Sequence, residues 1–233
     1  GIIETDGFIT DVLTDKAMEW IEANRDHPFF CYIPFNAPHT PFQVPDSYYE
    51  KYEARGCDAE TATIYGMVEN IDDNMGRLLW KVQELGLEEK TIVLFLTDNG
   101  PNTRDRYNAG MKGFKGCVDE GGVRVPLFVR WSGHVEPGGV VRDLAAHIDL
   151  LPTLMDLCRI DIPETLQLDG ITLNPSLMNN RTVRSDRFIF THRYWGNELQ
   201  LRNGAARSRQ FRYVLTNGEE SLYDLVNDPG QKR

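Results

Sequence analysis

The sequence predicts an α/β fold: a doubly wound, mostly parallel sheet flanked by helices, with a small antiparallel appendage at its C-terminal end. Two observations carry the first part. Three predominantly apolar runs of strand length, 29–35, 91–97 and 126–131, alternate with amphipathic helical segments. The first two are continuous rather than alternating, as in strands buried on both faces of a parallel sheet. A third observation carries the appendage. After about Asn180 the pattern changes to short alternating runs, so residues 1–180 read as one α/β portion and 181–233 as a small antiparallel subdomain.

The first helical segment, 10–24, sets Val12, Leu13, Ala17, Trp20 and Ile21 on one stripe, with Thr10 or Asp11 as N-cap and His27-Pro28 as the stop. The strand at 29–35 (FFCYIPF) empties into Asn36-Ala37-Pro38-His39-Thr40-Pro41, a loop stiffened by two prolines. Residues 60–85 carry the most regular helix, with Ile64, Met67, Val68, Ile71, Met75, Leu78, Leu79, Val82 and Leu85 on its stripe and Gly86 as C′ residue. The second strand, 91–97 (TIVLFLT), runs directly into Asp98-Asn99-Gly100-Pro101. A polar, Gly-rich loop continues to about Gly122, the third strand follows at 126–131, and 147–158 is a helix with Leu150, Leu151, Leu154, Met155 and Leu157 on its apolar side. Beyond Asn180 the alternating runs are 188–190, 199–201 and 211–215, and Asn217-Gly218 is a hairpin signal.

Composition excludes several classes. The net charge of −10, from 25 basic and 35 acidic residues, argues against nucleic acid or an anionic membrane as partner. No apolar run approaches the roughly 18 residues a membrane span needs. The chain does not begin with Met, and Gly1-Ile2-Ile3-Glu4-Thr5-Asp6 has no basic region followed by an apolar one, so the chain reads as cut from something longer. Cys31, Cys57, Cys117 and Cys158 lie far apart without a CxxC and read as plain thiols.

Ligands of open α/β sheets bind at the carboxyl ends of the strands. His39 follows the first strand by a few residues, Asp98 and Asn99 follow the second directly, and Lys115 lies in the Gly-rich loop. A carboxylate beside an amide carbonyl offers hard oxygens of the type Ca²⁺ takes. A lysine is a point charge for an oxyanion, and an imidazole holds or protonates a leaving oxygen. Each residue also has a plainer reading. Asp98-Asn99-Gly100 is a turn signal, His39 a loop histidine bonding backbone, Lys115 a solvated surface lysine, and Arg124 a structural salt-bridge partner.

The motifs together resemble the sulfatase family. Asn36-Ala37-Pro38-His39-Thr40-Pro41 is similar to its N-A-P-H-x-P loop, and Thr97-Asp98-Asn99-Gly100 to its T/S-D-N/H-G metal motif. Lys112-Gly113-Phe114-Lys115-Gly116 followed by Glu120-Gly121-Gly122-Val123-Arg124-Val125-Pro126 resembles its G-K-G…E-G-G-V-R-x-P signature. His147-Ile148-Asp149-Leu150-Leu151-Pro152-Thr153-Leu154 resembles the H-x-D-L-x-P-T-L helix start, and Leu222-Tyr223-Asp224-Leu225 with Asn227-Asp228-Pro229 the closing L-Y-D-L…D-P. The five occur in family order over about residues 8 to 229.

The resemblance implies a sulfuric ester hydrolase of the alkaline phosphatase superfamily, with this chain as the C-terminal half of the catalytic domain plus part of the small subdomain. It implies Asp98 and Asn99 as ligands of a single Ca²⁺, Lys115 on the sulfate and leaving oxygens, and His39 on the leaving-group side. The family nucleophile is a formylglycine made from C/S-x-P-x-R, and no cysteine or serine here fits that motif. The nucleophile is therefore expected in an N-terminal part outside this chain, and the chain alone is expected to be inactive. The implied partner is a sulfated small molecule or carbohydrate, which Arg104 and Arg106 of the loop 101–107 are placed to meet if that loop lines the entrance. The implied location is periplasmic or secreted, lysosomal in a eukaryote. Two other readings stay open: a phosphoesterase or phosphonate hydrolase of the same superfamily, and a non-catalytic module that keeps the fold.

Overall fold

The computed structural model describes residues 4–179, 186–194 and 203–232. The chain forms two compact units, Gly1–Ile92 and Val93–Arg233. The first holds three helices, α1 (Ile9–Asn24), α2 (Asp46–Glu53) and α3 (Ala59–Glu84). The Asp58 carboxylate starts α3 by accepting the Thr61 N–H at 3.0 Å and the Thr61 hydroxyl at 2.7 Å. Gly86, at φ 65°, follows its end, as the left-handed C′ position requires. Ala17 and Ile21 of α1 meet Leu78 of α3 in a small apolar core, each large aliphatic side chain contributing about 1.5–3 kcal/mol if fully buried.

Helix α1 begins differently from the expectation. Phe8 takes the N-cap position without a side-chain cap, and Thr10 is buried inside the first turn. Asp11 instead accepts the side-chain amides of Asn70 and Asn74 from α3 at 2.9 and 2.6 Å. Both asparagines are 1% exposed, so the carboxylate satisfies donors that would be costly to bury unpaired.

Segment 29–35 corrects the expectation of a strand buried on both faces. It is extended but pairs with no described strand, and its side chains alternate. Phe29, Cys31, Ile33 and Phe35 pack against the α1–α3 core, whereas Phe30 and Tyr32 are each 76% exposed. Alternating burial has a period of two, which a continuous apolar run cannot reveal because both faces carry apolar residues.

The second unit contains β1 (Val93–Leu96), α4 (Glu120–Val123), β2 (Leu127–Arg130), a 3₁₀ turn (His147–Asp149) leading into α5 (Leu150–Leu157), α6 (Asn174–Asn179) and β3 to β6. Strand β1 pairs with β2 antiparallel, Val93 opposite Arg130 and Leu96 opposite Leu127. The expected sheet was mostly parallel, and no parallel pair occurs among the described residues. The connection is long enough to return in either direction, and burial alone does not encode direction.

The α/β class and the C-terminal antiparallel sheet hold. Strands β3 (Ile189–His192), β4 (Asn203–Arg207), β5 (Phe211–Thr216) and β6 (Glu219–Asp224) form one antiparallel sheet in sequence order. Asn217 and Gly218, both at positive φ (53° and 89°), turn the β5–β6 hairpin as their sequence signalled. The expected run 199–201 lies outside the described residues. Val118, Ala205, Val214, Tyr223 and Leu225 form the core under this sheet. All four cysteines are free thiols, and no described helix is long and apolar enough to cross a membrane.

Candidate active site

Strand β1 delivers the first part of the site. The chain leaves the strand after Leu96, and the Nε2 of His147 lies 3.0 Å from the Thr97 carbonyl. A carbonyl only accepts, so Nε2 carries the hydrogen in this contact. Asp98 is exposed and Asn99 half-buried. The Asn99 amide nitrogen donates to Asp98 Oδ1 at 2.8 Å.

Glycine backbone fixes what lies beside this loop. The Gly100 N–H donates to the Gly122 carbonyl at 3.0 Å, and a Cβ at Gly100 would stand 1.9 Å from the Gly121 carbonyl oxygen. A Cβ at Gly121 would fall 2.5 Å from the Gly113 oxygen, and one at Gly122 would fall 2.2 Å from the Cys117 oxygen. Segments 98–101, 112–117 and 120–123 thus pack peptide against peptide, with no room for side chains between them.

Lys115 enters through the same packing. Its backbone N–H donates to the Pro101 carbonyl at 2.7 Å, and the Cys117 N–H closes a turn onto the Phe114 carbonyl at 2.8 Å. Lys115 is the first corner of this turn and Gly116, at φ +85°, the second, the geometry of a type II turn. The two lysines of the loop have different fates. Lys112 donates to the Tyr223 hydroxyl at 2.5 Å and lies over its ring at 4.8 Å. The Tyr223 hydrogen bond, with the Asp119 charge, holds the Lys112 ammonium above its ordinary range. No described side chain forms a hydrogen bond or ion pair with the Lys115 ammonium.

Two buried ion clusters lie in this unit, the first of them on the loop at 120–123. Glu120, 2% exposed, accepts from Arg212 Nε at 2.8 Å and Nη2 at 2.7 Å, and from Arg207 Nε at 3.1 Å. Burial pulls Arg212 below its ordinary range, while the Glu120 charge opposes that pull. Asp149 is fully buried and takes a bidentate pair from Arg187 at 2.6 and 2.7 Å, together with the Ala146 and Ile171 N–H groups at 2.7 and 2.9 Å. Arg124, 63% exposed at its side chain, lies 3.6 Å from Glu120, which supports its plainer reading.

His39 stands in the first unit. Its N–H donates to the Asn36 carbonyl at 2.9 Å within the loop, and its Nδ1 lies 3.0 Å from the Thr40 carbonyl. A hydrogen on Nδ1 for that contact leaves Nε2 as the nitrogen with a lone pair. The structure therefore gathers Asp98, Asn99 and Lys115 on neighbouring loops of one unit, while His39 belongs to the other.

Asp98 and Asn99 fit a hard cation in kind, since a carboxylate and an amide oxygen remain available when the amide nitrogen faces Asp98. They fit it only partly in number, because Ca²⁺ takes about six to eight oxygens. No group of three or more His, Cys, Asp or Glu side chains among the described residues could hold a metal. Sequence reasoning missed Arg193. It follows β3, and its guanidinium Cζ lies 3.7 Å from the point where a side chain would begin at Gly116. No motif spacing marks it.

A lysine on the loop whose backbone bonds Pro101, next to the Asp98-Asn99 pair and on loops closed by glycine contacts, offers groups of the kind an oxyanion site uses in an α/β domain. The comparisons agree with this class. A family model described as Sulfatase matches residues 3–160, and one described as N-sulphoglucosamine sulphohydrolase, C-terminal, matches 114–233. The chain belongs to the sulfatase family. It is 31% identical over 251 residues to human arylsulfatase A, covering 96% of this chain and 46% of that protein. To human N-acetylgalactosamine-6-sulfatase it is 31% identical over 232 residues, with coverage of 96% and 42%. A solved structure of Ps i-CgsB in complex with k-i-k-neocarrahexaose matches with a TM-score of 0.91 at 28% identity, covering 99% of this chain and 51% of that one. The chain thus spans less than half the length of these two curated relatives.

Proposed function

We propose that this chain is the C-terminal part of a sulfuric ester hydrolase, with residues 1–180 the end of the catalytic domain and 181–233 the small subdomain. The observation that carries the reading is the 2.7 Å bond from the Lys115 N–H to the Pro101 carbonyl, which sets an uncommitted lysine on the loop next to Asp98 and Asn99. The nucleophile comes from outside this sequence, as a formylglycine from a C/S-x-P-x-R segment.

On this reading Lys115 neutralises charge that develops on the sulfate and leaving oxygens, an interaction worth most where water is excluded. The resemblance assigns His39 to the leaving-group side, where the imidazole would pass a proton to the leaving oxygen from Nε2 only in its doubly protonated form, Nδ1 keeping its own hydrogen as the ester bond breaks. Asp98 and Asn99 supply two ligands of Ca²⁺, and when bound that cation offsets negative charge on the sulfate oxygens. The substrate is a sulfated carbohydrate, a choice supported by the k-i-k-neocarrahexaose held by the 28%-identical Ps i-CgsB. The location is periplasmic or secreted, or lysosomal in a eukaryote.

The test is hydrolysis of 4-nitrophenyl sulfate beside 4-nitrophenyl phosphate, with and without Ca²⁺. It is run on the 233-residue chain and on the longer polypeptide that places the nucleophile motif before it. The chain alone is expected to be inert. In the longer polypeptide Lys115→Ala should lower sulfate turnover by about 10²-fold, and Asp98→Ala should lower metal affinity and activity together. A longer polypeptide that prefers the phosphate ester, or that is indifferent to Lys115→Ala, rules the assignment out.

A further inference from the structure

The extended segment 29–35 presents a row of main-chain groups that lack partners. Among the described residues, no hydrogen bond reaches the N–H groups of Phe29, Phe30, Cys31, Tyr32 or Ile33. The backbone bond found within the segment runs from the Phe35 N–H to the Ile33 carbonyl at 3.2 Å. In extended chain the main-chain groups of successive residues point to opposite edges. Phe29, Cys31 and Ile33 therefore address one edge, Phe30 and Tyr32 the other, and both edges are open. Pro28 and Pro34 lack an N–H, which limits the available donors to 29–33. The two faces differ. Phe29, Cys31, Ile33 and Phe35 pack on the core of α1 and α3, while Phe30 and Tyr32 project away from it at 76% exposure each. Helix α1 feeds the segment through residues 25–28 and covers its inner face. A helix laid on the strand that follows it is the second half of a strand–helix–strand crossover, whose first strand runs parallel in the same sheet. Residues 4–8, ahead of α1, form no strand.

We propose that 29–35 is an interior strand of a parallel sheet whose neighbours, one on each edge, are strands of the polypeptide that precedes this sequence, and that the same polypeptide covers Phe30 and Tyr32. The inference rests on the reading of this chain as the later part of a longer protein, and it assigns a structural task to the part outside it. The relatives leave room for such strands, since the chain spans less than half the length of human arylsulfatase A and of human N-acetylgalactosamine-6-sulfatase. The chemistry selects a strand over other occupants. A helix satisfies its own main-chain groups and a small ligand meets one or two, whereas a strand answers a whole row. Both faces of 29–35 carry apolar side chains, as in strands covered on both sides. A second copy of this chain fits less well, because a twofold dimer joins the same edge of both copies and leaves the other edge open.

Amide hydrogen exchange read by peptide mass spectrometry tests the sheet without reading turnover, so its result does not depend on which ester the protein cleaves. It is run on the 233-residue chain and on the longer polypeptide that places the nucleophile motif before it, with α3 as the folding reference. In the longer polypeptide, amides 29–33 should exchange at least about 10³-fold more slowly than in the chain alone, the scale of strand groups that open only with a large part of a domain. In the chain alone they should exchange near the rate of unstructured peptide while α3 stays protected. Phe30→Asp gives a second readout, the urea midpoint. It should leave the midpoint of the chain alone unchanged, because Phe30 is exposed there, and lower that of the longer polypeptide, where the new carboxylate is buried. Fast exchange of 29–33 in the longer polypeptide overturns the proposal, and so does an unchanged midpoint in its Phe30→Asp variant; neither result touches the Lys115 assignment. Protection already present in the chain alone overturns it too. In a monomer by sedimentation, such protection assigns the cover to this chain's own residues, and in a dimer to a second copy.

Discussion

Replacing Gly100 by Ala tests whether backbone packing sets the distance between the candidate loops. The new Cβ would stand 1.9 Å from the Gly121 carbonyl oxygen, 2.9 Å from the Gly121 carbonyl carbon and 3.2 Å from the Gly122 Cα. Contacts under 3.0 Å are essentially never seen for real Cβ atoms, so the two loops must part by at least about 1 Å. All three atoms are backbone, and no flexible side-chain tip can swing away. Parting weakens the Gly100 to Gly122 bond and, through Pro101, the bond that carries Lys115. Overpacking costs about 1–3 kcal/mol and each disturbed hydrogen bond about 0.5–1.5 kcal/mol, so the loss should be about 2–6 kcal/mol. That is a large share of the roughly 5–15 kcal/mol typical of a domain. Urea unfolding followed by circular dichroism should show the midpoint falling by roughly 1–3 M, given an m-value of about 2 kcal/mol/M, mid-range for a small protein. A Gly100→Ala chain with the parent's midpoint would refute the view that peptide contacts space these loops.

The same reasoning reverses at Gly76. It lies inside α3, and a Cβ there would meet nothing within 4 Å, so Gly76→Ala should stabilise the chain by about 0.5–1 kcal/mol in the same urea assay. Glu120→Ala leaves Arg212, 4% exposed at its side chain, buried without its counter-charge and should cost about 3–5 kcal/mol. Adding Arg212→Leu should restore much of that loss, and a double variant no better than the single one would show that the pair is not coupled. Burial pushes the Cys31 thiol up, which lowers its thiolate fraction near neutral pH, whereas Cys158 is exposed. Iodoacetamide at about pH 8, near the ordinary thiol range, followed by peptide mass spectrometry, should label Cys158 first and Cys31 last; equal rates would contradict the packing of 29–35 on the first unit's core.

Which parts of the fold were legible follows from what each signal encodes. Helix α3 was readable to within a residue or two because a 3.6-residue stripe and Gly86 agree, and the structure adds an Asp58 cap at its start. The β5–β6 hairpin was readable because Asn217-Gly218 suits two consecutive positive-φ positions. Strand direction was not. Hydrophobicity does not encode direction: β1 is partly buried and β2 largely exposed, yet both are apolar whichever way they run. Segment 29–35 misled for a related reason: Phe30 and Tyr32 are as apolar as their inward neighbours, so the alternation present in three dimensions is absent from composition.

The site was legible in a different way. Asp98, Asn99 and Lys115 are each ordinary as single residues, and the glycines around them explain why the local pattern was informative. Gly100, Gly121 and Gly122 sit where any Cβ would strike a carbonyl oxygen, so their places in the sequence record close loop contacts, of which Gly100 against Gly121 spans 21 positions. Glu120 belongs to the same record, since its carboxylate is consumed by Arg207 and Arg212 and cannot serve the chemistry. What sequence could not supply is the sorting of cations. Lys112 and Lys115 look alike in the motif, yet Tyr223 and Asp119 claim the first and leave the second available. Arg193 follows β3, 77 positions beyond Gly116, and carries no motif of its own, so only the folded subdomain reveals that it lies over the loop. Candidate ligand groups are therefore told apart by which partners the fold assigns them, and that assignment is what the Lys115 substitution interrogates.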